Sequence, residues 1–266
     1  MRTGFVAPIF LIFVLLFSTV SPAQKRSAKK AAAQKADAAG LAIPRPYADL
    51  LKDTSQVMVV TTAGWNAVDG SMLRFEKRDG HWQQVGDKIP VVVGKNGIGW
   101  DGILEPPSVN GQPVKKEGDG RSPAGIFPIG EAFGFEPAAP DLKLHYRPLT
   151  EYIECVDDGS SSAYNQVVDR QQIPHPDWNS SEKMRTIDVY KEGAVVNYNG
   201  QHISGAGSCI FMHIWKGSGR GTAGCTAMEE SKLQETLGWL DASKKPVLIQ
   251  LPAAIYEDLR DGWQLP

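Results

Sequence analysis

Short apolar segments separated by turn-forming residues recur along most of the chain, and this pattern favours strands over helices. Runs rich in β-branched or aromatic residues and bounded by Gly, Asp or Asn are predicted to be strands. These runs cover residues 56–62, 72–78, 88–94, 209–214 and 246–251. The pattern therefore predicts one β-rich domain of about 200 residues with few helices, a size that a single sheet-based core can fill.

One segment follows a helical period instead. In residues 229–240 leucines recur at spacings of four and three, and acidic residues occupy the first turn, so we predict a helix there. Gly-containing sequences at 68–70 and 78–80 predict hairpin turns. Residues 157–185 are polar with little periodicity; we expect an excursion over the sheet, and loops of that length are often functional lids.

The amino terminus has the pattern of a secretory signal. Arg2 precedes a 16-residue, mostly apolar run at 5–20, and Ser21 and Ala23 are the small residues expected before a cleavage site. A spanning helix needs about 20 apolar residues, whereas this run is shorter and contains a proline, so an uncleaved anchor is disfavoured. We predict a signal peptide at 1–23, export to an oxidising compartment, and no stable membrane span after cleavage.

Residues 24–46 are predicted to be an Ala- and Lys-rich linker. Within them, residues 24–40 have no apolar stripe that could pack on a core. A solvated tether and a weak electrostatic attachment to an anionic polymer are the two interpretations. Pro44 and Pro46 are expected to stop any helix and to mark the start of a domain at 47–266.

The formal charge of -2 conceals an uneven distribution. Residues 1–45 hold seven of the 28 Lys and Arg residues and one of the 30 Asp and Glu residues. The remaining 21 cations and 29 acids give that part of the chain a charge of -8. Because binding to a phosphate backbone needs clustered Lys and Arg, this acidic body argues against a nucleic-acid partner.

Cysteine and histidine supply the main candidate chemistry. Cys225 lies in a glycine-rich turn just before the predicted helix, so its sulfur is expected near a helix amino terminus that favours the thiolate. Gly224 has no side chain to block a substrate carbonyl, and the N–H groups of Gly224 and Cys225 are candidate oxyanion donors. His213, on a predicted strand twelve residues upstream, can supply the base that activates a thiol for acyl transfer.

Other interpretations of these residues stay open. Three cysteines in an exported protein make one disulfide and one free thiol, and we expect Cys155 to pair with Cys209 because both lie in apolar strand contexts. A zinc site built from Cys209, His213 and Cys225 is a rival, although it lacks a CxxC or HExxH spacing. His213 can also be a hydrogen-bonded core histidine, the more frequent case for a single His.

The segment FMHIWKGSGRGTAGCTAM at 211–228 resembles the catalytic signature of the L,D-transpeptidase (YkuD-like) family, in which a His precedes a Ser/Thr-x-Gly-Cys turn. The matching residues are His213, Thr222, Gly224 and Cys225.

Two upstream segments extend the resemblance. GDGRSPAGIF at 118–127 resembles the family's Thr-Pro-x-Gly-x-Phe/Tyr element, and VVVGKNG at 91–97 is similar to the strand and turn where such domains begin their sheet. The resemblance spans roughly residues 56–251. It implies a single β-sandwich or barrel-like catalytic domain with a few short helices.

The chain departs from the family pattern around the cysteine. Ala223 and Ala227 stand where many members have a His and an Arg or Asn, and Trp215 lies close after the histidine where Gly is frequent. The family's contacts to substrate carboxylates are therefore not carried over. Arg220 is the substitute candidate, because a guanidinium can grip a carboxylate bidentately, although it can also be a solvated loop charge. Trp215 is a second candidate for substrate binding, by stacking.

The resemblance implies an exported L,D-transpeptidase of bacterial peptidoglycan, in the periplasm or cell envelope. Cys225, activated by His213, would form a thioester with a stem peptide and pass it to an amine, and Thr222, Ala223 and Gly224 would form the turn around the oxyanion. In the family a backbone carbonyl orients the histidine, and the Ile214 carbonyl is one candidate. No metal or organic cofactor is needed. An L,D-carboxypeptidase and a catalytically silent wall-binding module are the alternatives.

Overall fold

The computed structural model describes Met1 and residues 42–103 and 111–266. The predicted signal peptide at 1–23 and most of the predicted linker at 24–46 lie outside the described residues. The described part is mainly β, as predicted. The helices are α1 Arg45–Asp53, α2 Glu230–Trp239 and α3 Ala253–Arg260. The strands are β1 Gln56–Thr62, β2 Asp69–Arg78, β3 His81–Val92, β4 Ile98–Trp100, β5 Ser122–Gly134, β6 Tyr146–Pro148, β7 Ile153–Val156, β8 Val167–Asp169, β9 Ser181–Lys183, β10 Glu192–Val196, β11 Phe211–Ile214, β12 Thr226–Met228 and β13 Val247–Pro252.

The large sheet closes on itself. Its strands run in the order β10, β11, β12, β3, β2, β1, β13, β5, and β5 pairs back to β10; β4 and β6 also pair with β5. Neighbours are antiparallel except at β1–β13, β11–β12, β4–β5 and β5–β6. The closure gives each strand of the ring a partner on both edges. The prediction of a barrel-like β domain is confirmed.

The main core is formed where the most apolar strands pack under the helices. All six residues of β13 and six of the seven in β1 are buried, which explains why both strands read as nearly continuous apolar runs. Helix α2 covers β10 and β11 with Leu233 and Leu237. Helix α1 packs on β5 and helix α3 packs on β1 and β13. The rings of Tyr47 and Trp263 lie 5.9 Å apart.

One predicted hairpin turn is confirmed and the other is wrong. Asp79 and Gly80, between β2 and β3, both have positive φ (49° and 79°), as a two-residue hairpin turn of the primed type requires. Asp69 and Gly70 instead begin β2. A Cβ on Gly70 would lie 2.8 Å from the Thr61 carbonyl oxygen, so this glycine permits close strand packing rather than a turn.

The proline-containing segment at 44–46 begins a helix instead of stopping one. Helix α1 begins at Arg45, with Pro46 in its first turn. A proline there costs no hydrogen bond, because the first N–H groups of a helix have no partner within it.

The polar stretch at 157–185 is an excursion from the large sheet, as predicted, but it has regular structure of its own. It supplies β8 and β9, which flank β7 in a separate three-stranded antiparallel sheet. We call β7, β8, β9 and their connections, residues 153–183, the small sheet. Among the described helices, none has the length and apolar content to cross a membrane.

Candidate active site

Strand pairing brings the two candidate catalytic residues to one end of the barrel. His213 lies on β11, and Cys225 directly precedes β12, which pairs with β11 in parallel. Both line one cleft of ≈ 350 Å³. Cys225 Sγ accepts a hydrogen bond from the Phe211 N–H at 3.3 Å, and its S–H donates to the Cys209 carbonyl at 3.4 Å.

Two hydroxyl groups hold the backbone of the cysteine. Ser122 Oγ and Thr222 Oγ1 both donate to the Cys225 carbonyl, at 3.0 and 2.6 Å. Ser122 also accepts from the Gly94 N–H at 2.9 Å. These contacts join all three segments of the family resemblance at the thiol.

The turn before the cysteine depends on close backbone approach. A Cβ on Gly224 would lie 3.1 Å from Ile210 Cδ1 and 3.2 Å from the Arg121 carbonyl oxygen, so the packing of the protein itself explains this glycine. The Gly224 N–H donates to Thr222 Oγ1 at 3.1 Å and is therefore occupied. Within the described residues the N–H groups of Ala223 and Cys225 have no hydrogen-bond partner.

The predicted cysteine pairing is confirmed. Cys155 and Cys209 form a disulfide, and Cys225 is free and buried. The zinc interpretation is wrong, because Cys209 is committed to the disulfide. No group of three His, Cys, Asp or Glu side chains with metal-ligand geometry occurs among residues 42–103 and 111–266.

The imidazole of His213 is oriented by the backbone. Its Nδ1 lies 2.7 Å from the Ile214 carbonyl oxygen, the candidate named from the sequence. A carbonyl only accepts, so Nδ1 carries the proton and Nε2 has the free lone pair. His213 is 6% exposed, and this burial lowers its pKa to about 4. The ring is therefore neutral at pH 7 and is equipped to accept a proton.

The expected helix terminus beside the thiol is absent. Strand β12 separates Cys225 from α2, which begins at Glu230, so the helix does not act directly on the sulfur. Burial raises the pKa of the Cys225 thiol to about 12, and the charge of Glu182 acts in the same direction. The prediction of a thiolate-favouring environment is wrong: the resting pair is a neutral thiol and a neutral imidazole.

Arg220 and Trp215, the two predicted substrate contacts, line the cleft. Arg220 is exposed and Trp215 is half-buried. Two further exposed cations, Lys95 and Lys216, line the same cleft and were missed from the sequence. Lys95 lies at the cleft because its backbone N–H donates to the Thr222 carbonyl at 2.8 Å. This contact joins segments that are over a hundred residues apart in the sequence.

The small sheet forms an acidic wall that was also missed. Asp157 and Glu182 line the cleft together with Tyr190. The Tyr190 hydroxyl donates to Glu182 Oε2 at 2.7 Å, and burial raises the pKa of Glu182 to about 7. Strand β9 has only three residues and no apolar alternation, so no sequence pattern marked Glu182.

Comparison with known proteins gives one match. The sequence model of the L,D-transpeptidase catalytic domain (YkuD) matches residues 68–249. This range contains His213, Cys225 and the whole small sheet. Neither the curated proteins nor the solved structures include a significant match to the chain.

Proposed function

The chain belongs to the L,D-transpeptidase catalytic-domain family, and from that premise we propose that it is an exported cysteine acyltransferase that crosslinks peptidoglycan stem peptides. One observation carries the proposal. The free thiol, Cys225, shares a cleft with a neutral imidazole whose Nδ1 is engaged by a backbone carbonyl. Export rests on the predicted signal peptide at 1–23, and a periplasmic or envelope location follows from the substrate.

In the first half-reaction the thiol proton moves to His213 Nε2 as Sγ attacks the carbonyl carbon of an L-centre residue in the stem. Because thiol and imidazole are both neutral at rest, proton transfer accompanies attack instead of preceding it. The tetrahedral intermediate collapses, the C–N bond breaks, and the departing D-amino acid takes the proton from His213. The stem remains as a Cys225 thioester.

In the second half-reaction a neutral amine from another stem attacks the thioester carbonyl. Its proton passes to His213, and the C–S bond breaks to give an amide crosslink. His213 returns the proton to sulfur, which restores the resting pair. Water in place of the amine makes the same site an L,D-carboxypeptidase.

The surroundings of Cys225 fit the charges that develop. The free N–H groups of Ala223 and Cys225 are the candidate donors to the oxyanion, since that of Gly224 is occupied. Arg220, Lys95 and Lys216 are placed to meet stem carboxylates in an otherwise acidic protein. Trp215 offers an apolar surface on the same rim.

The test is incubation of the purified protein with muropeptides, followed by mass spectrometry of the products. We expect crosslinked dimers. Shortened monomers would replace the proposal by the carboxypeptidase, and unchanged input would identify a silent wall-binding module.

The variant that tests the nucleophile in this assay is Cys225→Ala. It removes one buried sulfur and is expected to abolish product formation while the circular dichroism spectrum stays unchanged. Turnover retained by Cys225→Ala would contradict the assignment of the nucleophile.

A further inference from the structure

The backbone just before β11 holds the sulfur of the free cysteine. Cys225 Sγ accepts a hydrogen bond from the Phe211 N–H at 3.3 Å, and its S–H donates to the Cys209 carbonyl at 3.4 Å. Within the part of the chain that the structure describes, Sγ makes no hydrogen bond to His213. At rest the thiol proton is therefore directed at a carbonyl and not at the base.

Cys209, which supplies this carbonyl, has a backbone conformation that is uncommon for its residue type. Its φ is 55°, in the left-handed region, where the Cβ of an L-residue crowds the backbone. Such a conformation persists only when the surrounding structure holds it. The direction of the Cys209 carbonyl depends on this conformation, so the contacts that hold the residue also aim the acceptor of the thiol proton.

Two contacts hold Cys209, and both come from the small sheet. Its side chain forms the disulfide with Cys155, which lies on β7. Its N–H donates at 2.9 Å to Oδ1 of Asn165, which lies in the connection between β7 and β8. Asn165 is itself held, because its Nδ2 donates to the carbonyls of Tyr198 and Asn199, both at 2.9 Å. The small sheet therefore fixes the residue whose carbonyl accepts the thiol proton.

The Cys209 carbonyl favours the thiol over the thiolate. Its oxygen accepts the S–H but opposes a negative charge on sulfur. The Phe211 N–H acts in the opposite direction, because a donor binds a thiolate more strongly than a thiol. Burial raises the pKa of Cys225 to about 12. A carbonyl that turned away from the sulfur would therefore lower this pKa and increase the fraction of thiolate at a given pH.

We propose that Cys209 is a positioning residue for the nucleophile: its left-handed backbone, held by the disulfide and by Asn165, aims its carbonyl at Cys225 Sγ and favours the protonated sulfur at rest. Its catalytic meaning rests on the proposed function, in which the S–H has to leave this carbonyl before the proton reaches His213. The contact itself is testable without substrate, because Cys225 is the one free thiol among the three cysteines of the chain.

The experiment compares two disulfide-free variants that differ in how easily residue 209 adopts a positive φ. Glycine adopts it without strain, whereas alanine does not. In Cys155→Ala/Cys209→Gly we expect the carbonyl to stay on the sulfur, and in Cys155→Ala/Cys209→Ala we expect it to turn away. Both variants lack the disulfide and keep Cys225 as the single cysteine, so loss of the crosslink affects them equally.

Two measurements report the contact. A donated hydrogen bond lowers the S–H stretching frequency, so the infrared band of wild type and of the Cys209→Gly variant should lie below that of the Cys209→Ala variant. Iodoacetamide reacts with the thiolate, so at pH 8 the Cys209→Ala variant should be alkylated about 3- to 10-fold faster than the Cys209→Gly variant, the effect of losing one hydrogen bond. The titratable groups around the sulfur are the same in all variants: Glu182, Lys115, Tyr190 and His213.

The band separates positioning from a merely structural effect. A looser cleft would change the alkylation rate without shifting the S–H frequency. A band at the same frequency in both disulfide-free variants overturns the proposal, as does a ratio of alkylation rates below twofold. Circular dichroism establishes that both variants are folded, and if either is not, the variant that keeps the disulfide decides.

That variant is Asn165→Gly, which tests the second contact to Cys209. The φ of Asn165 is 58°, so glycine keeps its backbone and removes the acceptor of the Cys209 N–H. We expect a higher S–H frequency and alkylation about 2- to 5-fold faster than in wild type at pH 8. An unchanged band and rate would contradict the proposal.

Ser161→Ala is the matched control. Ser161 lies in the same connection as Asn165, and its hydroxyl donates to Asp177 at 2.5 Å and accepts from the Ala163 N–H at 3.0 Å, contacts that do not involve Cys209. We expect the S–H band to stay in place and the alkylation rate to remain within twofold of wild type; a band shift equal to that of Asn165→Gly would refute the role of Cys209. Muropeptide turnover in wild type separates the two failures, because its absence contradicts the proposed function and leaves the infrared and alkylation results unaffected.

Discussion

The two sides of the cleft are built in different ways. The floor, formed by β11, β12 and the turn at 222–225, is part of the closed barrel and holds His213 and Cys225 by strand pairing and backbone hydrogen bonds. The wall is the small sheet, whose strands have three or four residues each. Three short strands form little independent structure, and here a disulfide attaches the central strand to the segment just before β11.

Under the proposed function, the floor carries the reaction and the wall modulates it. The floor presents neutral, buried groups whose geometry is determined by the main chain. The wall presents carboxylates, and the charge of one of them, Glu182, opposes ionisation of Cys225. We therefore expect floor substitutions to remove turnover with little effect on stability, and wall substitutions to change stability and pH dependence.

The largest expected effect is a loss of turnover caused by a substitution in the floor. His213→Asn keeps a polar side chain but removes the base, and we expect turnover of muropeptides to fall about 10²- to 10⁴-fold, the usual contribution of a general base. The exposed His81 on β3 supplies the control, since His81→Asn should leave turnover unchanged. A loss below tenfold for His213→Asn would show that the floor does not carry the proton transfer.

The next largest expected effect is a loss of stability when the disulfide that attaches the wall is removed. Replacing Cys155 and Cys209 together by Ala removes a crosslink between residues 54 positions apart. We expect the free energy of unfolding to fall by about 2–4 kcal/mol in urea titrations. Because the β11–β12 pairing does not depend on the disulfide, turnover of the folded fraction should fall less than in His213→Asn. Unchanged stability would mean that the small sheet holds itself in place.

The smallest expected effect is a change in stability on removal of the Glu182 charge from the wall. The folded-state pKa of Glu182 is raised from 4.5 to about 7 by burial, so its contribution to stability is complete below pH 4.5 and is lost as the pH rises through 7. Glu182→Gln should therefore be more stable than wild type at pH 8, by roughly 1–2 kcal/mol, with the difference vanishing near pH 5. Thermal melts at both pH values measure it.

Glu154, on the same small sheet, has a lowered pKa, so its contribution to stability changes with pH in the opposite direction. Burial opposes its ionisation, but hydrogen bonds from Lys183 and Ser181 outweigh that cost and lower its pKa. Its contribution is present at neutral pH and is lost on acidification, so Glu154→Gln should cost stability at pH 8 and little at low pH. Parallel pH profiles for the Glu182→Gln and Glu154→Gln variants would contradict the charge argument.

Local sequence predicted the strands and the helix whose apolar pattern lies within a single segment. Strand β1 covers the predicted residues 56–62, and α2 differs from its prediction by one residue at each end, because apolar periodicity reflects burial on one face. Strand β5 was missed, since its glycines and prolines mimic loop composition. Its Gly125 is needed because a Cβ there would lie 2.1 Å from the Tyr47 hydroxyl, a contact that no sequence window contains.

At the site, residue context made Cys225 and His213 candidates and paired Cys155 with Cys209. The family resemblance implied the roles of Cys225 and His213 and the Ile214 carbonyl as the group that orients the imidazole. The protonation state of the thiol was not recognisable in this way. It depends on burial and on the charge of Glu182, which the small sheet brings to the same cleft as the sulfur. Local sequence thus determined which atoms are available to react, and the tertiary structure decided their charge, because desolvation and long-range charge arise only when distant segments pack together.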